Sequence, residues 1–217
     1  MQPLKIIQTR APDSDPVTMD EVKLHLKIDG SSEDDSIKMM IVAATTAAEQ
    51  FMSRALIDRT YKLYLDHWPC TPGGNNEWWD GVREGAQVGS PARYLELPNA
   101  PLKSVTAVKV YDDSNASVIW AASNYHVDVA SMPGRIALRT GGTVPLPTKS
   151  INGIEIEYIA GYGKANDVPP AIKQGILRMI AHMNEHRGDH WEASVDGLAN
   201  VSGANRILGQ YRIVKLI

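Results

Sequence analysis

Thiols, net charge and long apolar runs are all scarce in this chain of 217 residues. The single cysteine, Cys70, rules out an internal disulfide. It also rules out a zinc site built on several thiolates, and nothing calls for an oxidising compartment. No apolar run approaches the roughly 18–20 residues needed to span a bilayer, so no membrane partner is expected. The opening Met1-Gln-Pro-Leu-Lys-Ile-Ile lacks the long apolar centre of a signal peptide. The formal net charge is −3. Proteins that grip nucleic acid by its phosphates carry a basic surface, so sequence reading or wrapping of DNA is a poor fit.

What is present belongs to an ordinary globular chain. Hydrophobic residues make up 43% and charged residues 22%. That is enough apolar surface for one large core or two small ones, and too few charges for global disorder. Charge is uneven along the chain. Acidic residues outnumber basic ones in 1–58, and the reverse holds in 169–217. An acidic head and a basic tail suit head-to-tail contacts between copies, but ordinary solvated faces account for them more simply, without any partner.

The chain alternates between helical and strand patterning. Residues 1–16 carry Pro3, Pro12 and Pro16 and read as an extended arm. Thr18-Met-Asp-Glu21 fits a capping box and opens a short helix with Val22, Leu24, Leu26 and Ile28 as its apolar positions. A second helix starts at the acidic Glu33-Asp34-Asp35, where the helix dipole favours negative charge. Ile37, Ile41, Ala44, Ala48 and Phe51 follow at helical spacing, and the Ala-rich middle allows a neighbouring helix to approach closely. From Arg59 the period changes to two, with Tyr61, Leu63 and Leu65 on one face.

Residues 69–92 form a Pro-, Gly- and Asn-rich loop holding Trp78 and Trp79. A loop this long is often functional. The Trp pair fits an interface anchor, and fits equally an aromatic pair folded onto its own core. Short alternating segments then recur at 94–97, 104–111, 117–120, 125–129, 135–138 and 154–158, with turns between them. Such spacing suggests a sandwich or barrel. In the Met132-Pro-Gly134 turn, Gly is expected at a positive-φ position. Pro169-Pro170 starts a last long helix with Ile172, Ile176, Met179, Ile180 and Met183 on one face, ending before Gly188. A polar, Gly-interrupted tail closes with Tyr211-Arg212-Ile213 and an apolar end suited to docking.

The expected fold is therefore α+β: a small α-helical bundle with an inserted antiparallel β domain, sandwich or barrel-like. The bundle takes residues 17–58 and 169–190, the insert 59–168, and the tail 191–217.

One pattern points to catalysis. His182-Met-Asn-Glu185-His186 matches the order of an inverted zinc-protease motif. Two histidines four apart share a helical face and could hold zinc, with Glu185 activating water. The third ligand is missing from view, Glu192 being only nominally available. A helix end carrying histidines and Arg187 opposite the negative dipole end explains the same residues without metal. No Walker loop or nucleophile elbow is present, so no catalytic, cofactor or metal residue is assigned. A zinc-dependent hydrolase built on His182, Glu185 and His186 stands as the alternative function.

The order of several segments resembles the phage head–tail connector (adaptor) family of long-tailed phages, prophages and gene transfer agents, the gp6-like or gp8-like connectors. The segments are Val17-Thr-Met-Asp-Glu-Val-Lys-Leu-His-Leu-Lys-Ile-Asp29, Glu33-Asp-Asp-Ser-Ile37 and Leu97-Pro-Asn-Ala-Pro-Leu-Lys-Ser-Val105. Pro133-Gly-Arg-Ile136, Tyr158-Ile-Ala-Gly-Tyr-Gly163, Val168-Pro-Pro-Ala-Ile172 and Asn184-Glu-His-Arg187 complete the series. The resemblance implies a structural protein without cofactor. It implies a homo-oligomeric ring, usually a dodecamer, beneath the portal protein. Such a ring extends the DNA channel without sequence-specific binding and presents a surface to a stopper or tail-completion protein. It implies a place at the virion neck, with assembly in the host cytoplasm. Expected contact residues are Trp78, Trp79, Tyr211, Arg212 and Ile213, with the Ala-rich helix at the ring contact.

Overall fold

The computed structural model describes residues 5–9, 11–68, 94–187 and 197–213. The Trp78–Trp79 loop, Cys70, His190 and Glu192 lie outside the described residues. The fold is α+β, and the chain divides into two compact units. One is built from residues 1–10, 60–97 and 102–159, the other from 11–59, 98–101 and 160–217.

The first unit is a β unit of two sheets. The larger holds five strands in the order β1 (Lys5–Gln8), β2 (Arg59–Leu65), β8 (Ile154–Ala160), β4 (Leu102–Tyr111) and β5 (Ser117–Ile119). The smaller runs β3 (Tyr94–Glu96), β7 (Arg135–Leu138) and β6 (Tyr125–Asp128). Alternation decides the faces. Tyr61, Leu63, Val108, Val110, Ile154, Ile156 and Tyr158 are all buried. The rings of Tyr61 and Tyr158 stack with centroids 5.6 Å apart. The expected extended arm is in part an edge strand, because Lys5–Gln8 pairs antiparallel with Tyr61–Tyr64. Trp120, after β5, packs edge-on against Trp68, after β2, and at a tilt against Tyr125 at the start of β6, so an aromatic cluster links the two sheets.

Two turns in this unit show different logic. At Asp112-Asp-Ser-Asn115 the Asp112 carboxylate accepts from the Ser114 and Ala116 amides at 3.0 and 2.8 Å, and Asn115 takes a left-handed φ of 66°. Gly134 does not take the positive φ expected of it. Glycine stands there because Leu102 packs on it: an added Cβ would lie 2.3 Å from the Leu102 Cβ.

The second unit is helical. α1 (Met19–Leu26) begins with the expected capping box: Thr18 Oγ1 accepts from the Glu21 amide at 3.1 Å, and the Thr18 amide donates to Glu21 Oε2 at 2.7 Å. Val22 is buried, but Leu24 is 83% exposed. Positions 22, 24, 26 and 28 repeat every two residues, and at 3.6 residues per turn they cannot share one helix face. α2 (Asp34–Met52) buries Ile37, Met40, Ile41, Ala44, Ala48 and Met52. α3 (Pro170–Glu185) starts with proline in its first turn and buries Ile172, Ile176, Met179 and Ile180. The C-terminal segment corrects the expected polar tail. Residues 197–208 form α4 (Gly197–Val201) and α5 (Asn205–Leu208), and they place Ala199, Ala204 and Leu208 in the same core as α2 and α3. Gly175 of α3 makes this possible, since a Cβ there would meet Leu208 Cδ2 at 2.7 Å.

The turn after α2 is closed by three backbone hydrogen bonds to two short segments. The Ala55 amide donates to Ala100 O, the Tyr162 amide to Leu56 O and the Asp58 amide to Gly163 O. These bonds hold residues 98–101 and 160–163 to the helical unit, inside the stretch 59–168 expected to be wholly β insert. Gly161 sits at φ 145°, and a Cβ would fall 2.6 Å from the Asp58 nitrogen. Replacing Gly161 with Ala should destabilise the protein by at least about 1–3 kcal/mol, from backbone strain alone. Urea unfolding checks this; Gly209→Ala, where an added Cβ meets nothing within 4 Å, is the control.

Candidate functional site: contact surfaces and charged clusters

The residues that suggested catalysis sit at the end of α3. The His182 and His186 rings stack with centroids 4.2 Å apart. His186 Nδ1 lies 2.9 Å from the His182 carbonyl, one helical turn back. Stacked rings do not converge on a shared point in front of them, as two ligands of one metal must. Among the described residues, no three His, Cys, Asp or Glu side chains are grouped to hold a metal ion. Burial lowers the His182 pKa, the neighbouring His186 lowers it further, and Glu185 opposes both. The geometry lends no support to the zinc-hydrolase alternative. Met183 and Leu198 line an open cleft beside the two histidines.

The acidic start of α2 is engaged within its own unit. Glu33 pairs with Arg187 at 2.6 Å, and Asp34 pairs with Lys23 at 2.5 Å. Glu21 of the α1 cap pairs with Lys173 of α3 at 3.2 Å. These ion pairs join helix ends; the dipoles favour Glu21, Glu33 and Asp34 at N-termini and Lys23 and Arg187 at C-termini, whereas Lys173, in the opening turn of α3, is held by Glu21 against the dipole.

Tyr211, Arg212 and Ile213, the C-terminal residues expected to make contacts, lie at the end of α2. Arg54 Nε donates to the Tyr211 carbonyl, and Arg54 Nη1 to the Tyr162 hydroxyl at 3.0 Å. The Ile213 amide donates to Met52 O at 3.1 Å. The Arg212 guanidinium lies over Phe51 at 5.2 Å. Tyr211 and Ile213 are therefore partly covered by their own helical unit, while Arg212 stays exposed.

A further charged cluster surrounds Glu155. Glu155 of β8 is only 4% exposed, although it points to the face of the sheet opposite Ile154 and Ile156. Lys62 Nζ approaches it at 3.0 Å, Lys109 Nζ at 3.1 Å and the Tyr111 hydroxyl at 3.0 Å. Burial alone would raise its pKa. Hydrogen bonds from Lys62, Lys109, Tyr111 and Tyr64 outweigh burial and bring it down to about 2. The signal lay in register: these residues alternate with the apolar positions of neighbouring strands, and strand order could not be read from the chain alone.

Apolar side chains face outward at several places among the described residues. On α2, Met39 is 69% exposed and Val42 53%. On edge strand β5, Val118 and Ile119 are also exposed. Among the described residues no helix is long and apolar enough to cross a membrane.

The described residues form a two-sheet β unit and a helical unit, each with apolar side chains facing outward. Residues 16–76 match the family model described as phage gp6-like head-tail connector protein. The chain is also similar to solved structures along nearly its whole length. A chain in the neck of an empty GTA particle, computed with C6 symmetry, is 22% identical with a TM-score of 0.73. A chain in the virion of a native gene transfer agent particle is 23% identical with a TM-score of 0.71. A chain in the neck of a native GTA particle, computed with C12 symmetry, is 22% identical with a TM-score of 0.67. Each alignment covers 98% of this chain and 97% of the other. These likenesses establish a shared fold. No curated protein matches the chain.

The Glu155 cluster makes a pH prediction. Its folded-state pKa is depressed, so the stability it contributes is present above the ordinary value of 4.5 and is lost as pH falls toward about 2. The stability difference between wild type and Glu155→Gln should be largest near neutrality and shrink steadily below pH 4.5. Urea midpoints across that range measure it. A difference independent of pH would contradict the assignment.

Proposed function

We infer that this chain is a structural head–tail connector, a part of the neck that joins a filled capsid to the tail. The observation carrying this most strongly is the family match over residues 16–76 combined with a fold shared end to end with neck proteins. The chain works as a ring of identical copies, twelve in the assembled particle, seated on the portal protein. The ring lengthens the DNA channel, and its far side receives a stopper or tail-completion protein. The chain catalyses no reaction in this role. A net charge of −3 suits a wall past which DNA slides without gripping. Copies assemble in the host cytoplasm.

Arg212 is our candidate for contact with the portal, with Tyr211 and Ile213 fixing its position through Arg54 and Met52. The Trp78–Trp79 loop is our candidate for contact with a neighbouring copy or a tail component. Removing residues 189–217 whole would be a poor test, because Leu208 and Ala204 belong to the core. Arg212→Glu is the better one: normal thermal unfolding with reduced attachment to portal-bearing heads is expected, and unchanged attachment would remove the tail from the portal contact.

Deleting the gene from a producing genome tests the role. Filled heads and free tails should accumulate separately, and supplying the wild-type chain should restore joined particles. Joined, infectious or transducing particles in its absence would overturn the connector role.

A further inference from the structure

We propose that neighbouring copies meet through the outer face of α2 on one chain and Leu24 of α1 on the next. This rests on the connector role proposed above and names the surfaces that would close the ring.

The first surface is defined by what it lacks. Residues 39–48, Met-Met-Ile-Val-Ala-Ala-Thr-Thr-Ala-Ala, contain no charged side chain, yet only one side of this stretch is buried. Met39, Val42, Ala43 and Thr46 are all exposed. Their spacing of three and four residues sets them in one stripe. A helix whose outer side faces water carries charged and polar residues there. This one shows water a methionine at 69% exposure and a valine at 53%.

The second surface lies in the same helical unit. Leu24 is 83% exposed, the most exposed large hydrophobic residue described. Exposed Asp20 and Lys27 flank it, one turn to either side. The α2 stripe has a matching pair: exposed Asp35 lies one turn before Met39, and exposed Lys38 one turn before Val42. None of these four charges takes part in an ion pair among the described residues. Seating Leu24 of one copy beside Met39 and Val42 of the next sets Lys27 against Asp35 and Asp20 against Lys38. Opposite charges around an apolar contact fix register and disfavour wrong pairings.

Symmetry favours a second copy as the occupant. A closed ring of more than two copies needs a heterologous contact, in which two different patches of one chain complement each other. The α2 stripe and the Leu24 patch supply two such patches on one unit.

Cysteine cross-linking tests this in portal-bearing heads purified from producing cells that lack the native chain. In a Cys70→Ser background, Leu24→Cys and Met39→Cys are made singly and together, and treated with a short bis-maleimide. Both positions are exposed, so folding is not at stake. Each single variant alone should give no chain-to-chain product. A mixture of the two singles should give a cross-linked dimer, and the double variant a ladder of multimers. A ring visible on the heads with no dimer and no ladder would overturn the proposal while leaving the connector role standing. A Met39→Cys product with the portal protein would overturn it too, by giving the stripe another occupant. Failure of the wild-type chain to form any ring on heads would overturn the connector role and this contact with it. Val42→Glu should independently lower ring occupancy at least tenfold without changing the thermal unfolding midpoint; unchanged occupancy would count against the contact.

Discussion

The helical unit depends on a backbone-to-backbone contact at Gly161. The chain comes off β8 and passes so close to Ile57 and Asp58 that no side chain fits between them. This approach lets Tyr162 and Gly163 exchange backbone hydrogen bonds with Leu56 and Asp58. Glu49 secures the other side of the same turn: its carboxylate accepts from the Leu56 amide at 2.8 Å and pairs with Arg59 at 2.6 Å. Burial raises the Glu49 pKa, and the Leu56 amide and Arg59 only partly offset it. With the turn closed, α2 and α3 can share one core, and the C-terminal helices complete it.

Charge in the helical unit is largely used inward or at helix ends. Lys23, Glu33, Arg187, Glu21 and Lys173 join one helix end to another. Glu49 and Arg59 lock the turn after α2. The middle of α2 has no charge to present outward, which leaves Met39 and Val42 on the surface. In the β unit, Glu155 gathers two lysines and two tyrosines around one carboxylate. These networks fix how elements join.

Much of this was legible in the residues. The Thr18–Glu21 box, the period change at Arg59, the short strands from 94 to 158 and the proline start of α3 all rest on local physics, and local physics can be read along a chain. What escaped reading was long-range. Gly134 and Gly175 are glycines because Leu102 and Leu208, distant in sequence, press against them. The closing segment looked like a polar tail because helices of four and five residues leave no periodic signature. Leu24 reads as core by its apolar side chain, but a residue two along from Val22 falls on nearly the opposite side of a helix. The His182–His186 pair looked like a metal motif because spacing alone does not reveal that two rings stack.

The connector role makes its most direct demand on where the chain sits and in how many copies. Electron microscopy of purified portal-bearing heads, with and without added chain, measures both. The expected result is a ring of added density coaxial with the portal vertex, with the symmetry of that vertex, present only when the chain is supplied. Heads that look identical with and without the chain at saturating concentration would contradict it.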